Sequence, residues 1–450
     1  MRETLRRLPL EQAVWLGIAA TVIDVATGST WSQGVRSIAG PLRWVLLACL
    51  CALSLAYAAS RAGGRRPRLI PLWLGAALLV VALLSSVWSV APRTTAERFV
   101  SFATVVVTAA ALAVAASGRR EVAARFLIAV LAGAVVVAVI GLGILAVNPH
   151  EAVQSATAST AARYRGLGQN PNTVVMLFAV AMPIAVWVAG ARRGPWRYAA
   201  LVGLLVLAGS IVASGSRGAL VAGFVAALAP ALAASRSRRP AVVATIACAV
   251  GLAAGLAITK IPKPNPQARG TTAGYAGACT KRDAQCFLRL EDEIGRPPRG
   301  QFEEPKHRSI FGSSGRGDAW RGALEQGADR PVAGYGFGTE SRVFVDRYYL
   351  FEGGVPENSY VGMFLQLGAV GAAVFVAFLG SLVAAAVRAL VPADRDTRVV
   401  AATCGAVLFV GLALALFQSY LYAAGNNATL SVWICAFLLT ALASHRRGGT

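Results

Sequence analysis

Arginines in three short polar stretches of this sequence could bind a phosphate-bearing substrate. "SGSRGAL" carries Arg217 between two apolar runs, "RYRGLGQNPNT" carries Arg165, and "GRGDAWRGAL" carries Arg316 and Arg321. Guanidinium groups bind phosphate oxygens through paired, charge-assisted hydrogen bonds. Several of them on one side of a membrane could hold a pyrophosphate without a metal ion, so these stretches predict recognition of a diphosphate.

Other polar residues near these arginines could act on the rest of such a substrate. Glu357 stands beside Asn358 in "VPENSYVG", and its carboxylate could take a proton from a sugar hydroxyl as a general base. The amides of Asn170, Asn172 and Asn358, and the ring of Trp320, could position a sugar. These residues complete a candidate set of three catalytic groups, Glu357 with two of the arginines, and a surrounding binding shell.

Each residue also has a purely structural interpretation. Asparagine is a common N-cap of helices, and an acid at a helix start suits the helix dipole. Arg217 alone could be an anchor whose head group reaches the membrane surface, and Trp320 could lie at the same interface. We therefore expect a site only where several of these residues come together.

The elements that position these residues must lie in a membrane. The 450 residues are 56% hydrophobic and only 14% charged, and the apolar runs recur at the length of about 17–25 residues that crosses a bilayer. The formal net charge of +22 is spread in short clusters between these runs, so we do not expect nucleic acid as a partner. The composition predicts an all-α polytopic membrane protein.

Reading each apolar run as a helix predicts twelve membrane spans. They cover residues 12–29, 43–60, 69–90, 97–117, 125–147, 172–190, 197–214, 217–235, 241–259, 358–388, 398–421 and 427–444. The chain then divides into spans one to nine (1–259), a long loop (260–356) and spans ten to twelve (357–450). We expect the loop to form short helices that cap the bundle.

The distribution of basic residues predicts the orientation of the spans. The segments that lie inside if the N-terminus is cytoplasmic hold 21 of the 43 Lys and Arg, whereas the short outside loops hold seven. Positive charge favours the cytoplasmic side, so we expect both termini inside and the long loop outside. All the candidate residues then share the outer face.

The cysteines predict a disulfide, and the positions of the histidines argue against a metal site. Cys279 and Cys286 lie in the outer loop, where their spacing allows a local disulfide in an oxidising compartment. His150, His307 and His445 are scattered along the chain, so we expect no metal site and no cofactor.

The order of these motifs resembles that of the O-antigen ligase and O-antigen polymerase family of bacterial inner-membrane glycosyltransferases. The matching pieces are "RGLGQNPNT", "SGSRGAL", "GRGDAW" with "DRPVAGYGFGT", and "ENSYVGMFLQLGAVG". They extend over about residues 160–390, and the first five spans match the family only in hydropathy. The family also places its long outer loop between spans nine and ten.

The resemblance implies a GT-C-like helical enzyme that transfers a glycan from undecaprenyl pyrophosphate to an acceptor hydroxyl, with inversion and without a metal. The acceptor would be lipid A core or another cell-surface glycolipid or glycan, and the site would face the exterior of the cytoplasmic membrane, among membrane lipids. It also implies that Arg217 and Arg316 bind the pyrophosphate, with Arg165 as a third. Family members commonly carry a His where this chain has Glu357, which leaves the identity of the base open.

Three alternatives stay open at this stage. A polymerase of the same family would add the glycan to another lipid-linked repeat unit, and the sequence does not separate it from a ligase. A polysaccharide transporter or flippase would belong to another class, although the two related halves common in transporters are not visible here. A scaffold role in cell-envelope synthesis is the third.

Overall fold

The chain is almost entirely helical in the part that the structure describes. The computed structural model describes residues 2–61, 67–154, 163–234, 316–344, 354–391 and 394–443. The helices are α1 (Arg2–Gly28), α2 (Gln33–Ser60), α3 (Leu69–Leu84), α4 (Pro92–Ala116), α5 (Arg120–Val147), α6 (Pro149–Ala152), α7 (Pro171–Ala191), α8 (Pro195–Ser214), α9 (Arg217–Ala233), α10 (Arg316–Gly327), α11 (Glu340–Val343), α12 (Ser359–Ala389), α13 (Arg395–Ala415) and α14 (Thr429–Leu442). A 3₁₀ turn, Ser85–Val87, follows α3, and the strands β1 (Val153–Gln154) and β2 (Arg163–Tyr164) pair antiparallel.

The described helices make this a multi-pass membrane protein. Nine of them, counted over the described ranges, are long and apolar enough to cross a bilayer, and α9 and α14 are shorter apolar helices. Eleven of the twelve predicted spans coincide with one of these helices. The twelfth, at 241–259, lies outside the described residues, as does most of the predicted loop with Cys279 and Cys286.

Several predicted span limits differ from the helices observed, among them the starts of α1 and α2 and the ends of α3 and α13. Helix α2 begins at Gln33, ten residues before the predicted start, because Arg36 and Arg43 interrupt the apolar run without interrupting the helix. Helix α13 ends at Ala415, six residues before the predicted end. The apolar residues after it, among them the fully buried Tyr420, pack inside a loop and not in a span.

One end of the bundle, here called the outer end, gathers the turns that the sequence assigns to the outside. These are residues 28–33, 85–91, 148–154, 163–171, 214–217, the capping segment 316–344, 354–359 and the hub loop 416–428. Ser29 Oγ donates to the carbonyl oxygen of Gly425 in the hub loop at 3.1 Å, and the backbone N–H of Gln169 donates to the carbonyl of Ser29 at 2.9 Å. The candidate residues are thus carried on turns that contact one another.

The opposite end, here called the inner end, gathers the remaining turns. Arg61 binds Glu11 at 3.1 Å, and Arg120 on α5 binds Asp394, the N-cap of α13, at 2.8 Å. The path of the chain therefore alternates between two ends, as successive membrane spans require.

Helix α12 is broken near its middle, and the break holds the capping segment against the bundle. Gly368 has φ 61°, a conformation that favours glycine, and divides the helix. The freed carbonyls of Leu365 and Gln366 accept hydrogen bonds from Tyr335 N (3.2 Å) and Gly336 N (2.8 Å). The "GYGFG" motif is thus a tight turn packed on a membrane helix, the arrangement by which non-helical backbone is tolerated at membrane depth.

The core beneath this turn is aromatic. Phe378 of α12 stacks on Trp433 of α14 with ring centroids 5.2 Å apart, and Phe102 of α4 contacts both Trp433 and Phe337. Helix α7 is the central helix of the bundle, since 89% of the residues in its apolar stretch are buried. The outer turns therefore sit on a rigid base.

Candidate active site

Arg316 and Glu357 form the ion pair at the centre of the candidate site. Nε and Nη2 of Arg316 both donate to one carboxylate oxygen of Glu357, Oε2, at 3.0 and 2.6 Å. The two side chains are 20% and 19% exposed, so the pair is largely withdrawn from solvent but still accessible. Arg316 begins α10 and Glu357 precedes α12, so the pair joins the capping segment to the bundle.

The backbone of Glu357 is held in an unusual conformation. Among the non-glycine residues that the structure describes, only Glu357 has a positive φ, of 47°. Such a conformation costs on the order of 1–3 kcal/mol and persists where the surroundings hold it. Asn358, buried and the N-cap of α12, accepts from the backbone N–H groups of Tyr360 (2.9 Å) and Val361 (3.1 Å). Its own N–H donates to Ser419 Oγ at 3.0 Å, which ties this turn to the hub loop.

Arg217 reaches the same loop from the other side. It is the first residue of α9, half-buried, directly after the turn in which Gly215 has φ 63°. The next residue, Gly218, packs on Phe417 of the hub loop, because a Cβ there would lie only 3.3 Å from the Phe417 ring. Ser359 donates to the carbonyl of Gln418 in that loop at 2.8 Å. Arg217 and the Arg316–Glu357 turn therefore border one loop.

Arg163 braces the turn that carries Arg217. Its Nε donates to the carbonyl oxygen of Ser214, the last residue of α8, and its Nη2 donates to Asn172 Oδ1, both at 2.6 Å. The start of α7 and the end of α8 are thereby fixed to each other. Sequence reasoning did not select Arg163, because its spacing from Arg165 gives no sign of which arginine faces the turn.

Arg165, predicted as a third pyrophosphate ligand, is engaged elsewhere at the outer end. Its Nε donates to the carbonyl of Glu151 at 2.9 Å, its Nη2 contacts the Glu151 carboxylate at 3.3 Å, and its guanidinium lies 5.5 Å from the Trp31 ring centroid. Burial lowers the pKa of Arg165, against the opposing effect of Glu151. An apolar pocket of about 470 Å³ adjoins Glu151 and Trp31.

The other predicted binding residues occupy different positions. Asn170 is the N-cap of α7, where its Oδ1 accepts from Asn172 N at 2.8 Å. Trp320 is half-buried, and its Nε1 has no hydrogen-bond partner among the described residues. Arg321 is exposed and pairs with Glu325 one turn later on α10, at 3.0 Å. The structure thus binds Asn172 to Arg163 and Asn358 to the hub loop, and it leaves Arg321 on the surface.

Glu340, which sequence reasoning missed, is the buried acid of the outer end. Its carboxylate accepts from Ser419 Oγ (2.5 Å), Tyr422 Oη (2.8 Å) and Gln366 Nε2 (3.3 Å). Burial raises its pKa to about 7, although the hydrogen bonds from Ser419 and Tyr422 oppose the shift. Ser419 is the residue that accepts from Asn358 N, so Glu340 supports the Glu357 turn from beneath.

The described residues include few side chains that could bind a metal ion or act as a reactive thiol. Over those ranges no three His, Cys, Asp or Glu side chains lie close enough to hold a metal ion together. Cys49, Cys51, Cys404 and Cys435 are free. The outer end instead offers arginines, a carboxylate and amides, which can bind an anion and a hydroxyl-rich molecule.

The fold and these groups define a multi-pass membrane protein with a polar site at one end of its bundle. A family model described as O-antigen ligase matches residues 202–376, from α8 through the capping segment to the first half of α12. This match bears out, over the matched residues, the resemblance to the O-antigen ligase family that the motifs predict. The matched segment contains Arg217, Arg316 and Glu357.

Curated sequences and solved structures give no further indication of function. No curated protein matches the chain in sequence. A solved structure described as "Structural coordination of polymerization and crosslinking by a peptidoglycan synthase complex" is similar over 85% of this chain and 99% of that chain, with 12% identity and a TM-score of 0.41. A likeness of this degree supports no inference from one protein to the other.

Proposed function

We propose that the protein is an O-antigen ligase-type glycosyltransferase, which moves a glycan from undecaprenyl pyrophosphate to an acceptor hydroxyl at the outer side of the cytoplasmic membrane. The observation that carries the proposal is the Arg316–Glu357 pair at the start of α12, held in a strained turn inside the segment matched by the family. The acceptor would be lipid A core or another cell-surface glycan or glycolipid.

The carboxylate of Glu357 marks where an anionic group fits. Two nitrogens of the Arg316 fork already bind one carboxylate oxygen, the geometry by which guanidinium also binds phosphate. In the proposed complex the pyrophosphate takes over the fork of Arg316 and contacts Arg217 across the hub loop. At an effective dielectric of about 20, one such charge pair at about 4 Å contributes about 4 kcal/mol before desolvation.

This exchange releases Glu357 to act as the base. The acceptor hydroxyl gives its proton to the Glu357 carboxylate while its oxygen attacks the anomeric carbon of the donor sugar. The bond from that carbon to the pyrophosphate oxygen breaks, and the pyrophosphate leaves with the bonding electrons on its lipid carrier. The arginines stabilise the charge that develops on the leaving group. A single displacement of this kind inverts the anomeric centre.

The proposal places the outer end at the exterior. The turns of the inner end include "GRREVAAR", "ARRGPWR" and "RDTR", which carry the clustered positive charge expected on the cytoplasmic side. Both termini then lie in the cytoplasm, and the lipid donor reaches the site from the outer leaflet.

The test is transfer by purified protein in lipid nanodiscs. A synthetic polyprenyl pyrophosphate sugar is supplied with an acceptor glycolipid and without ATP, and products are followed by mass spectrometry. We expect transfer by the wild type and a loss of about 10²–10³-fold in rate for Arg316→Ala. Arg330→Ala is the matched control, because Arg330 is an exposed arginine of the capping segment whose guanidinium lies 4.9 Å from the centroid of the Tyr335 ring.

The products also separate the alternatives. One addition per acceptor identifies a ligase, whereas a ladder of additions to lipid-linked units identifies a polymerase. No transfer by the wild type, together with movement of the intact donor across a sealed vesicle membrane, would replace the proposal with a flippase.

A further inference from the structure

A polar pocket of about 220 Å³ opens at the outer end. It lies where the end of α1, the start of α7 and the hub loop meet. The side chains that line it belong to Ser29, Gln169, Asn170, Thr173, Asn426 and Asn427, with the backbone of Gly425. All of these residues are uncharged.

Asn427 is the unusual member of this lining. Its side chain is only 2% exposed, yet neither Nδ2 nor Oδ1 has a hydrogen-bond partner among the described residues. A buried polar atom without a partner is expensive, and native proteins keep few of them. The amide therefore offers a donor and an acceptor to whatever occupies the pocket.

Neighbouring side chains of the pocket are already oriented by the backbone. Asn426 Oδ1 accepts from Ala428 N at 3.0 Å, and Asn170 Oδ1 accepts from Asn172 N at 2.8 Å. With the oxygens used in this way, the amide NH₂ groups are set to donate to a ligand. Ser29 Oγ donates to the carbonyl of Gly425 and can still accept.

The lining selects the chemistry of the occupant. Phosphate would call for cations in the lining, and an acyl chain would call for an apolar wall, whereas amides and hydroxyls suit a neutral molecule rich in hydroxyl groups. Arg43 does not line the pocket, and its Nη1 donates to the carbonyl of Gly425 at 3.3 Å. A volume of about 220 Å³ suits a small molecule of the size of one sugar ring.

The position of the pocket connects it to the proposed site on both sides. Asn170 caps the helix on which Asn172 binds Arg163, the brace of the Arg217 turn. Asn427 belongs to the hub loop, whose Ser419 holds the Asn358 backbone. A group bound here would contact the start of α7 and the hub loop, the two elements that are hydrogen-bonded to the turns carrying the arginines.

We infer that this pocket binds one neutral sugar ring of the glycan substrate, with Asn427 as its central hydrogen-bonding residue. The assignment of that sugar to a transferred glycan rests on the proposed function, whereas sugar binding itself does not.

The experiment measures binding of neutral sugars to the protein in nanodiscs by saturation-transfer-difference NMR. The probes are glucose, galactose and N-acetylglucosamine, with inorganic phosphate as a competitor. We expect at least one sugar to give a signal that phosphate does not displace, and Asn427→Leu to weaken its binding about tenfold, the loss of one or two hydrogen bonds. The melting temperature of Asn427→Leu should stay the same or rise, because leucine removes two unpaired polar atoms at nearly constant shape.

Two further variants keep the outcome decisive. Asn148→Leu, at an exposed asparagine of the outer end that does not line this pocket, should bind sugar as the wild type does. Gln169→Ala changes an exposed pocket residue and should also weaken sugar binding, so the test survives if Asn427→Leu fails to insert. Equal sugar binding by the wild type, Asn427→Leu and Gln169→Ala would overturn the inference. So would the absence of any sugar signal, or displacement by phosphate.

Transfer kinetics separate this inference from the proposed function. If both hold, Asn427→Leu raises KM for a glycan substrate about tenfold with kcat little changed, the pattern of lost ground-state binding. If the wild type transfers nothing but sugar binding still depends on Asn427, the proposed function fails and the sugar site stands. If transfer proceeds with unchanged KM in Asn427→Leu, the sugar site fails alone.

Discussion

Both ends of the bundle hold a buried or half-buried glutamate bound to arginine, and the two glutamates differ in how completely they are enclosed. At the inner end, Glu11 accepts from Tyr57 Oη (2.7 Å) and Arg61 (3.1 Å), and it also binds Arg125. At the outer end, and within the described part of the chain, Glu357 is bound by one arginine through one oxygen. An acid surrounded by three donors, two from the end of α2 and one from α5, has no freedom to exchange its partners.

The exposure of the two acids points the same way. The Glu11 side chain is 7% exposed, whereas that of Glu357 is 19% exposed and stands on a strained backbone. We infer that Glu11 joins α1, α2 and α5, whereas Glu357 is held ready for an incoming anion to take its arginine. An arginine–carboxylate pair in a membrane protein is thus not by itself a sign of a site, and the completeness of its enclosure has to be read first.

Removing the Glu357 carboxylate should have the largest effect, and that effect should be on the transfer rate and not on stability. Glu357→Gln keeps the shape and an oxygen for Arg316 but cannot take a proton, so we expect transfer to fall about 10²–10⁴-fold. The measurement is the transfer rate over a pH series. Glu97→Gln, at an exposed acid of α4 paired with Arg93, serves as the control. Wild-type turnover in Glu357→Gln would make the two glutamates alike, both structural.

Removing the Glu11 carboxylate should act on stability instead. Glu11→Ala leaves Arg61, only 13% exposed, and the buried Tyr57 without their shared acceptor. Breaking a buried pair in this way costs about 3–5 kcal/mol. We expect a large drop in melting temperature in detergent, with unchanged kcat in the protein that stays folded. Glu97→Ala should shift the melting temperature little, because exposed pairs contribute at most about 1 kcal/mol. A selective loss of kcat in Glu11→Ala would contradict its structural role.

Arg217 tests whether a second cation takes part at the outer end. A lysine keeps the charge but loses the planar fork, so Arg217→Lys should lose about 10²–10³-fold in transfer rate, or about 2.7–4 kcal/mol, while inserting and folding normally. The measurement is rate against donor concentration for Arg217→Lys, Arg217→Ala and the double variant with Arg316→Ala. If both arginines hold one pyrophosphate, the double variant should lose less than the sum of the two singles.

The anchoring alternative for Arg217 predicts the opposite result. An interfacial anchor needs only a long cation or a polar group, so Arg217→Lys would then transfer glycan within a few-fold of the wild type. Arg93→Lys, an exposed arginine at the outer end of α4, is the matched control and should not change the rate.

The helices could be predicted from the sequence more fully than their ends. Hydropathy located eleven helices because a bilayer-length apolar run has few alternatives to a helix. It misplaced the end of α13, since Tyr420 and its apolar neighbours fill a loop whose burial depends on α12 and α14. It also could not show that α12 breaks at Gly368, because the N–H groups that bind the freed carbonyls belong to residues of the capping segment, more than 25 positions earlier in the chain.

The candidate site divides in a similar way. The sequence predicted Arg316 and Glu357 separately, and the structure pairs them. Glu340 and Asn427 gave no signal, because an acid after a glycine-rich turn or an asparagine before a span is ordinarily exposed or a cap. Their burial follows from contacts with residues far away in the chain, such as Gln366 and Tyr422 for Glu340. Arginine clusters are visible in a sequence, whereas buried neutral groups become visible only after folding.

Glu340 is a third kind of acid, because hydroxyl groups and an amide enclose it in place of arginines. We expect it to have the smallest effect, on the pH dependence of stability. Burial raises its pKa from 4.5 to about 7, and burial together with the adjacent carboxylate raises that of Tyr422, which stays protonated. Between pH 4.5 and 7 the unfolded chain has lost the Glu340 proton and the folded protein retains it, so stability falls as pH rises through this window. The loss is at most on the order of 3 kcal/mol.

Glu340→Gln has no proton to lose, so its melting temperature should fall less between pH 5 and 8 than that of the wild type. Glu97→Gln should keep the wild-type profile, and parallel profiles for Glu340→Gln and the wild type would show that Glu340 is ionised in the folded protein throughout.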